Sequence, residues 1–175
     1  MTADIQVRAQ RIRLLVLDVD GILTDGRLYY THDGAELKAF HIQDGLGIKL
    51  LRSSGVEVAI LTGRTSGAVA QRATNLGIVH VFQGVDDKLS ALQQLSERLA
   101  LDWAAIGAMG DDLPDLPMLR RCGLALTVPE APVLVQRHAH YVTQHGGGAG
   151  AVREACELIM QAQTTLEAGM QEFLK

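Results

Sequence analysis

Short runs of branched aliphatic residues alternate along this chain with longer stretches in which apolar side chains recur every three or four positions. The first run begins near Ile12 or Arg13, continues through Leu14-Leu15-Val16-Leu17 to Val19, and is interrupted and followed by charge at Asp18 and Asp20 and by Gly21. So short an aliphatic run, flanked by charge and glycine, predicts a strand buried on both faces of a parallel sheet. The runs 56–61, 78–82, 103–109 and 123–128 read the same way, and Tyr141-Val142 is a brief last strand. Helical spacing covers 44–54, with Leu46, Ile48, Leu50 and Leu51, and 87–101, with Leu89, Leu92, Leu95 and Leu99. Shorter helices are expected from a Ser66 cap to Leu76, stopped by Gly77, over 113–122 with Pro114 near the start, and over 131–137. After the glycine run 146–150 a last helix is expected from Ala151 to about Thr165, leaving a polar, mobile tail over 165–175 and a polar or helical lead-in over 1–11.

One segment breaks the alternation. Between Arg27 and His41, Leu28-Tyr29-Tyr30 and the stretch 35–40 flank Thr31-His32-Asp33-Gly34, and an Asp-Gly pair between strand-like residues predicts a β-hairpin. The remaining order of strands and helices predicts an α/β protein with a doubly wound, mostly parallel sheet. The chain contains no internal repeat and no low-complexity linker, so 1–175 reads as one domain.

Composition narrows the setting. At 175 residues and 47% hydrophobic content the chain is long enough for a sizeable single core. A net charge of −4 argues against a nucleic-acid or membrane partner. No apolar run reaches the length of a membrane span and the first eleven residues lack the apolar segment of a signal peptide, so a cytoplasmic protein is expected. Cys122 and Cys156 have neither metal-ligand nor redox spacing and are expected to be reduced, half-buried thiols.

Candidate chemistry gathers at strand ends. In an open α/β sheet, ligands sit beyond the carboxyl ends of the strands, where Asp18 and Asp20 fall. Residues i and i+2 leave an extended chain on one side, so the two carboxyl groups are expected to crowd each other and attract a hard divalent cation such as Mg²⁺. Alone, the pair reads first as a strand that ends in a solvated Asp-Gly turn. Three further signals accompany it: Thr62-Gly63-Arg64 closing one strand, Lys88 opening a helix, and Gly110-Asp111-Asp112-Leu113-Pro114-Asp115 closing another. Each has an ordinary reading as a cap, a solvated charge or a turn, but the ordered set DxDG, T, K, GDDxxD resembles the four motifs of the haloacid dehalogenase superfamily of phosphohydrolases.

The resemblance is closer to one branch, the capless, Mg²⁺-dependent 3-deoxy-D-manno-octulosonate 8-phosphate phosphatases of lipopolysaccharide synthesis. It rests on DVDGILTDGRL, Asp44-Gly45 with Gly47-Ile48, Ile60-Leu61-Thr62-Gly63-Arg64, the GDDLPD run, Tyr141-Val142-Thr143 and Gly150-Ala151-Val152-Arg153-Glu154. It implies a Rossmann-like fold with a hairpin flap and no cap domain, and roles for the motif residues. Asp18 is then the nucleophile, Asp20 the acid and base, and Mg²⁺ is held by Asp18, Asp111 and the backbone carbonyl of Asp20. Thr62, Gly63 and Lys88 bind the phosphoryl group, while Asp112 and Asp115 orient metal waters or Lys88, Asp112 also fitting a helix cap. By the same resemblance His41, Ile42, Gln43, Asp44, Gly45, Arg64 and Arg72 contact the sugar acid, together with Asp20 and Lys88. Arg72 also reads as a solvated helix charge.

The chain departs from the family pattern at His41, Gln43, Leu46 and Ala149. Phosphates of nine-carbon 2-keto-3-deoxy sugar acids and N-acylneuraminate 9-phosphates therefore remain as alternative substrates. A receiver-type phosphorylation switch is a further alternative, although its phosphorylated Asp ends a middle strand and here the DxD ends the first. A scaffold of this fold without activity is disfavoured, since Asp18, Asp20, Lys88 and Asp111 are all present. Without a cap, the site needs another wall, and the family implies a homotetramer. The hairpin, with Tyr29, Tyr30 and Phe40 in an aromatic-poor chain, is expected to be buried between subunits rather than on its own.

Overall fold

The computed structural model describes residues 2–175, Glu172 by its backbone alone. Thr2 caps helix α1 (Ala3–Gln10), and strand β1 (Leu14–Leu17) follows with all four side chains buried. Strands β2 (Tyr29–Tyr30) and β3 (Glu36–Leu37) pair antiparallel, Tyr29 opposite Leu37 and Tyr30 opposite Glu36. Then come α2 (Ile42–Ser53), β4 (Glu57–Leu61), α3 (Gly67–Leu76), β5 (His80–Phe82) and α4 (Lys88–Leu99). Strand β6 (Ile106–Met109), α5 (Leu116–Leu119), β7 (Leu124–Thr127), α6 (Val133–His138), β8 (Tyr141–Val142), α7 (Ala151–Ala162) and α8 (Leu166–Met170) complete the order.

Six strands form one all-parallel sheet in the order β5-β4-β1-β6-β7-β8, with the two-stranded hairpin separate from it. β1 lies at the centre with a parallel neighbour on each side, which explains why its sequence is continuously apolar. From β1 the chain winds outward through β4 to β5, returns to β6 and winds the other way. The reversal leaves a crevice at the carboxyl ends of β1 and β6. α2 packs against α7 and α3, and α7 against α1, while α4, α5 and α6 pack on one another. Right-handed crossovers place the second group on the opposite face, giving three layers. Among the described residues there is no separate cap domain.

The boundaries differ from the expected ones where backbone hydrogen bonds have local partners. β1 starts at Leu14 because the Ile12 N–H closes α1 on the Ala9 carbonyl, and it stops at Leu17, short of both aspartates. Residues 103–105 form a 3₁₀ turn, with the Ala105 N–H on the Asp102 carbonyl, so only 106–109 joins the sheet. The helix expected over 113–122 is split into a 3₁₀ turn (Leu113–Asp115) and α5, because Pro114 and Pro117 lack the N–H groups that a continuous helix needs. Ser66 sits at the N-cap of α3, yet its side chain makes no capping bond, and its N–H goes to Gln83 Oε1 at 2.7 Å. α7 ends at Ala162, followed by Thr164 in the left-handed region, and the segment expected as a frayed tail holds α8 and a 3₁₀ turn with Leu166 against the core. Both cysteines are free and fully buried rather than half-buried, and burial pushes the Cys122 thiol up to about 12.

Candidate active site

Asp18 follows β1 directly, its N–H on the Met109 carbonyl of β6 at 3.0 Å, so the carboxylate stands in the crevice where the sheet order reverses. Lys88, the first residue of α4, brings its ammonium to Asp18 Oδ1 at 2.9 Å and Asp115 Oδ1 at 2.6 Å. Asp87 caps that helix by accepting the Ser90 N–H, which fixes the angle at which Lys88 enters. Asp115 Oδ2 accepts the N–H groups of Asp111 and Asp112, at 3.0 and 3.2 Å, and Asp112 itself accepts the Leu113 N–H, the cap anticipated as its alternative role. Two glycines make this crowding possible. A Cβ at Gly21 would overlap the Asp111 carboxylate, and one at Gly110 would overlap the Asp115 carboxylate.

Asp18, Asp111 and Asp115 each offer one oxygen within 4.8 Å of the others, a group of hard anionic donors that fits a divalent cation such as Mg²⁺. Their charges are under-compensated. Burial, then the Asp115 charge, raises Asp18 to about 6, and burial, then the Asp18 charge, raises Asp111 to about 7. Burial pulls the Lys88 ammonium down, but the Asp18 and Asp115 carboxylates outweigh it and the net shift is upward.

Asp20 corrects the expectation drawn from strand alternation. Beyond Leu17 the chain is no longer extended: the Val19 carbonyl accepts the N–H groups of Ile22, Leu23 and Thr24, forming a tight turn that carries Asp20 away from the carboxylate cluster. Its carboxylate pairs with Lys38 of the hairpin instead, and Arg64 lies at 3.8 Å on its other side. Lys38 also lies 3.2 Å from Glu36, which is hydrogen-bonded to Arg64. Sequence reasoning missed Glu36 and Lys38, although their i, i+2 spacing where the hairpin leaves β3 puts them on one face.

A cleft of about 480 Å³ unites most of the expected residues: Asp18, Asp20, Thr62, Gly63, Arg64, Lys88, Asp111, Asp112 and Asp115 all line it. Thr62 is buried at the end of β4, and its hydroxyl accepts the Arg64 N–H at 3.4 Å. His41, Ile42, Gln43, Asp44, Gly45 and Arg72 do not line this cleft. Ile42 is 84% exposed, and Gln43 is exposed, on the first turn of α2. Asp44 is buried, with Oδ1 on the Arg153 N–H at 2.8 Å, while its Oδ2 and His41 Nδ1, 4.0 Å apart, have no hydrogen-bond partner. Arg72 is half-buried: it donates to the His41 carbonyl at 3.1 Å, covers Gly45 and lies over the half-buried Phe40 ring at 5.8 Å.

The glycine loop before α7 backs the Asp20 turn. The Gly148 N–H donates to the Ile22 carbonyl at 3.0 Å, and a Cβ at Gly147 would overlap the Gly21 carbonyl. Glu154 holds the loop from behind, accepting from the Gln144 and His145 N–H groups and from the Tyr141 hydroxyl.

A profile of haloacid dehalogenase-like hydrolases matches residues 74–154. The 3-deoxy-D-manno-octulosonate 8-phosphate phosphatase of Escherichia coli is 46% identical over 167 residues, covering 95% of this chain and 89% of that one. A probable phosphatase from Pseudomonas syringae superposes with a TM-score of 0.98 at 49% identity, covering 99% of each chain. The 3-deoxy-D-manno-octulosonate 8-phosphate phosphatase of Moraxella catarrhalis, solved with magnesium, phosphate and the KDO sugar acid, superposes with a TM-score of 0.97 at 44% identity, again over 99% of each chain.

Proposed function

This chain belongs to the 3-deoxy-D-manno-octulosonate 8-phosphate phosphatases of the haloacid dehalogenase-like hydrolases, and on that premise we propose that it hydrolyses the 8-phosphate to the free sugar acid and phosphate with Mg²⁺ as cofactor. The observation that carries the reading is the Asp18–Lys88–Asp115 ion cluster beside Asp111 at the reversal point of the sheet. Asp18 attacks phosphorus in line, forming an aspartyl-phosphate as the bond to the sugar oxygen breaks, which divides one slow hydrolysis into two faster displacements. Asp20 delivers a proton to the departing sugar oxygen and then takes one from the water that cleaves the aspartyl-phosphate. Asp115 keeps Lys88 aimed at the transferring group, and Thr62 with the Gly63 N–H binds phosphoryl oxygens. The side chains of Asp18 and Asp111 and the carbonyl of Asp20 would hold Mg²⁺, which would offset repulsion between the anionic nucleophile and the anionic phosphate.

The sugar end offers a carboxylate, and Arg64 at the cleft's edge is suited to it by the forked geometry of guanidinium. His41, Asp44 and Arg72, which lie together outside the cleft of a single chain, are assigned to the sugar acid by the family resemblance alone. The wall absent from a single chain is supplied by a neighbouring copy in a homotetramer. Leu28, Tyr29, Tyr30 and Leu37 are exposed on the hairpin and support that assembly, since a free ribbon gains nothing from displaying them. The placement of the enzyme in lipopolysaccharide synthesis, in the cytoplasm, is part of the same proposal; among the described residues no helix is long and apolar enough to cross a membrane.

The test is a comparison of kcat/KM across eight-carbon and nine-carbon ulosonic acid phosphates with Mg²⁺ present. Preference for the eight-carbon 8-phosphate is expected. A higher value for a nine-carbon 9-phosphate would move the assignment to that substrate. A single stoichiometric phosphorylation without turnover would indicate a receiver-type switch.

A further inference from the structure

The hairpin contributes chemistry as well as a wall. Lys38 lies just beyond β3, and its side chain is only 2% exposed, an unusual position for an ammonium on a surface ribbon. Burying that charge is tolerable because two carboxylates face it, Asp20 and Glu36. Residue alternation sets this up. Glu36 and Lys38 turn toward Arg64 and Asp20 at the cleft's edge, while Leu37 between them is exposed. Asp20 in turn stays outside the Asp18–Asp111–Asp115 group, and its cationic neighbours are Lys38 and, at 3.8 Å, Arg64. The turn that Val19 closes fixes the Asp20 backbone, so the direction of its carboxyl group is left to these two partners.

We propose that Lys38 is a positioning residue of the phosphatase reaction: it holds the Asp20 carboxyl over the phosphoryl site, and through Glu36 and Arg64 it ties hairpin closure to alignment of the proton donor. The proposal rests on the reading of Asp20 as that donor. In the first displacement the bond from Asp18 oxygen to phosphorus forms, the phosphorus–sugar oxygen bond breaks, and the Asp20 proton moves to the sugar oxygen. The Asp20 carboxylate left behind already has its counter-ion. In the second displacement water oxygen bonds to phosphorus, one water proton returns to Asp20, and the bond to Asp18 breaks. Lys38 takes no part in either proton transfer. A carboxyl displaced by an ångström transfers its proton poorly, so an anchor for it acts on rate and not on ground-state binding alone. The chain Arg64–Glu36–Lys38–Asp20 also gives the substrate a handle on this alignment: a sugar carboxylate competing with Glu36 for Arg64 pulls on the same ribbon.

The test uses Lys38→Met and Lys38→Arg in the full chain with Mg²⁺, on a series from alkyl to nitrophenyl phosphates. kcat/KM reports the step in which the leaving group departs, and nitrophenolate leaves without a proton while an alkoxide does not. Lys38→Met is expected to lose about tenfold or more on the sugar phosphate and other alkyl phosphates, and less than about threefold on p-nitrophenyl phosphate, steepening the leaving-group dependence. Lys38→Arg, which keeps the charge, is expected to recover part of the slope. Equal losses across the series, or none, would overturn the proposal by showing that Lys38 only shapes the ribbon. Asp20→Asn on the same series separates the two ideas: no steepening there overturns the donor assignment itself, whereas steepening with Asp20→Asn but not with Lys38→Met overturns only the role of Lys38. Thermal unfolding of each variant ensures that only folded protein is compared.

Discussion

Asp18 and Asp20 stand two positions apart in sequence and in different electrostatic surroundings, one among carboxylates that share the Lys88 ammonium and the other beside Lys38 and Arg64. The Asp18→Asn variant is expected to show no multiple turnover in a phosphate-release assay, because an amide is not a nucleophile here, while Asp20→Asn is expected to retain about 10⁻² to 10⁻⁴ of the rate. The raised values of Asp18, about 6, and Asp111, about 7, carry a sign. The metal-free fold holds those protons more tightly than the unfolded chain does, so this contribution to stability is present at pH 4 and is lost as pH rises through 6 and 7. Melting without Mg²⁺ should therefore fall by several degrees between pH 5 and pH 8, and Mg²⁺ should restore most of the loss. Apparent Mg²⁺ affinity should rise over the same interval with release of protons, measurable by calorimetry in buffers of different ionisation enthalpy. Burial also raises Asp44, whose Oδ2 faces a ring nitrogen of His41 that likewise has no partner. Asp44→Asn keeps the acceptor for the Arg153 N–H and offers a new donor to His41, so stability at pH 7 should stay level or rise by about 1 kcal/mol, while Asp44→Ala should lose about 1–3 kcal/mol. Among these residues, the meeting of Asp18, Thr62, Lys88 and Asp111 in one cleft was legible because three of them close aliphatic runs and Lys88 opens a helix. The rotation of Asp20 and its pairing with Lys38 were not, since they depend on a turn closed by one carbonyl and on a partner eighteen positions away.

At the scale of elements, the sheet was the most legible part: the parallel strands were anticipated from their aliphatic runs, and the hairpin from Asp33-Gly34. Helix ends were less so, because they were settled by prolines within 113–122, by left-handed residues such as Ala100, and by the Asp102 carbonyl that curls 103–105. The glycine run 146–150 looked like a loop and proved to be a buttress, a role that composition cannot reveal, as its partner is the turn 21–25 at the other end of the chain. Gly147→Ala is expected to push that turn outward, cutting kcat by about tenfold or more while circular dichroism in the far ultraviolet stays unchanged. The reason is local: the added methyl meets backbone, which cannot rotate aside as a side chain could.

For the whole molecule, one chain supplies the chemical groups but displays an apolar ribbon, Tyr30 being 59% exposed. Burial of such a ribbon against another copy stabilises by roughly 25 cal/mol per Å² of apolar surface, so a few hundred Å² outweighs the surface polar contacts of a free hairpin. Replacing Tyr29 and Tyr30 with Ser is expected to lower the sedimenting mass and to reduce kcat/KM for the sugar phosphate more than for an aryl phosphate. Wild-type protein sedimenting as a fully active monomer would falsify the assembly. Sequence could indicate that the ribbon was too apolar to stand alone, but not its partner, because complementarity belongs to two surfaces. The buttress of residues 146–148 against residues 21–25 has a consequence in time as well as in space. Asp18 and its turn are made more than a hundred residues before the loop 146–148 that backs them. A chain ending before residue 146 carries Asp18, Lys88 and Asp111 with nothing behind that turn, so phosphate release in a timed synthesis assay is expected only after the loop has been made.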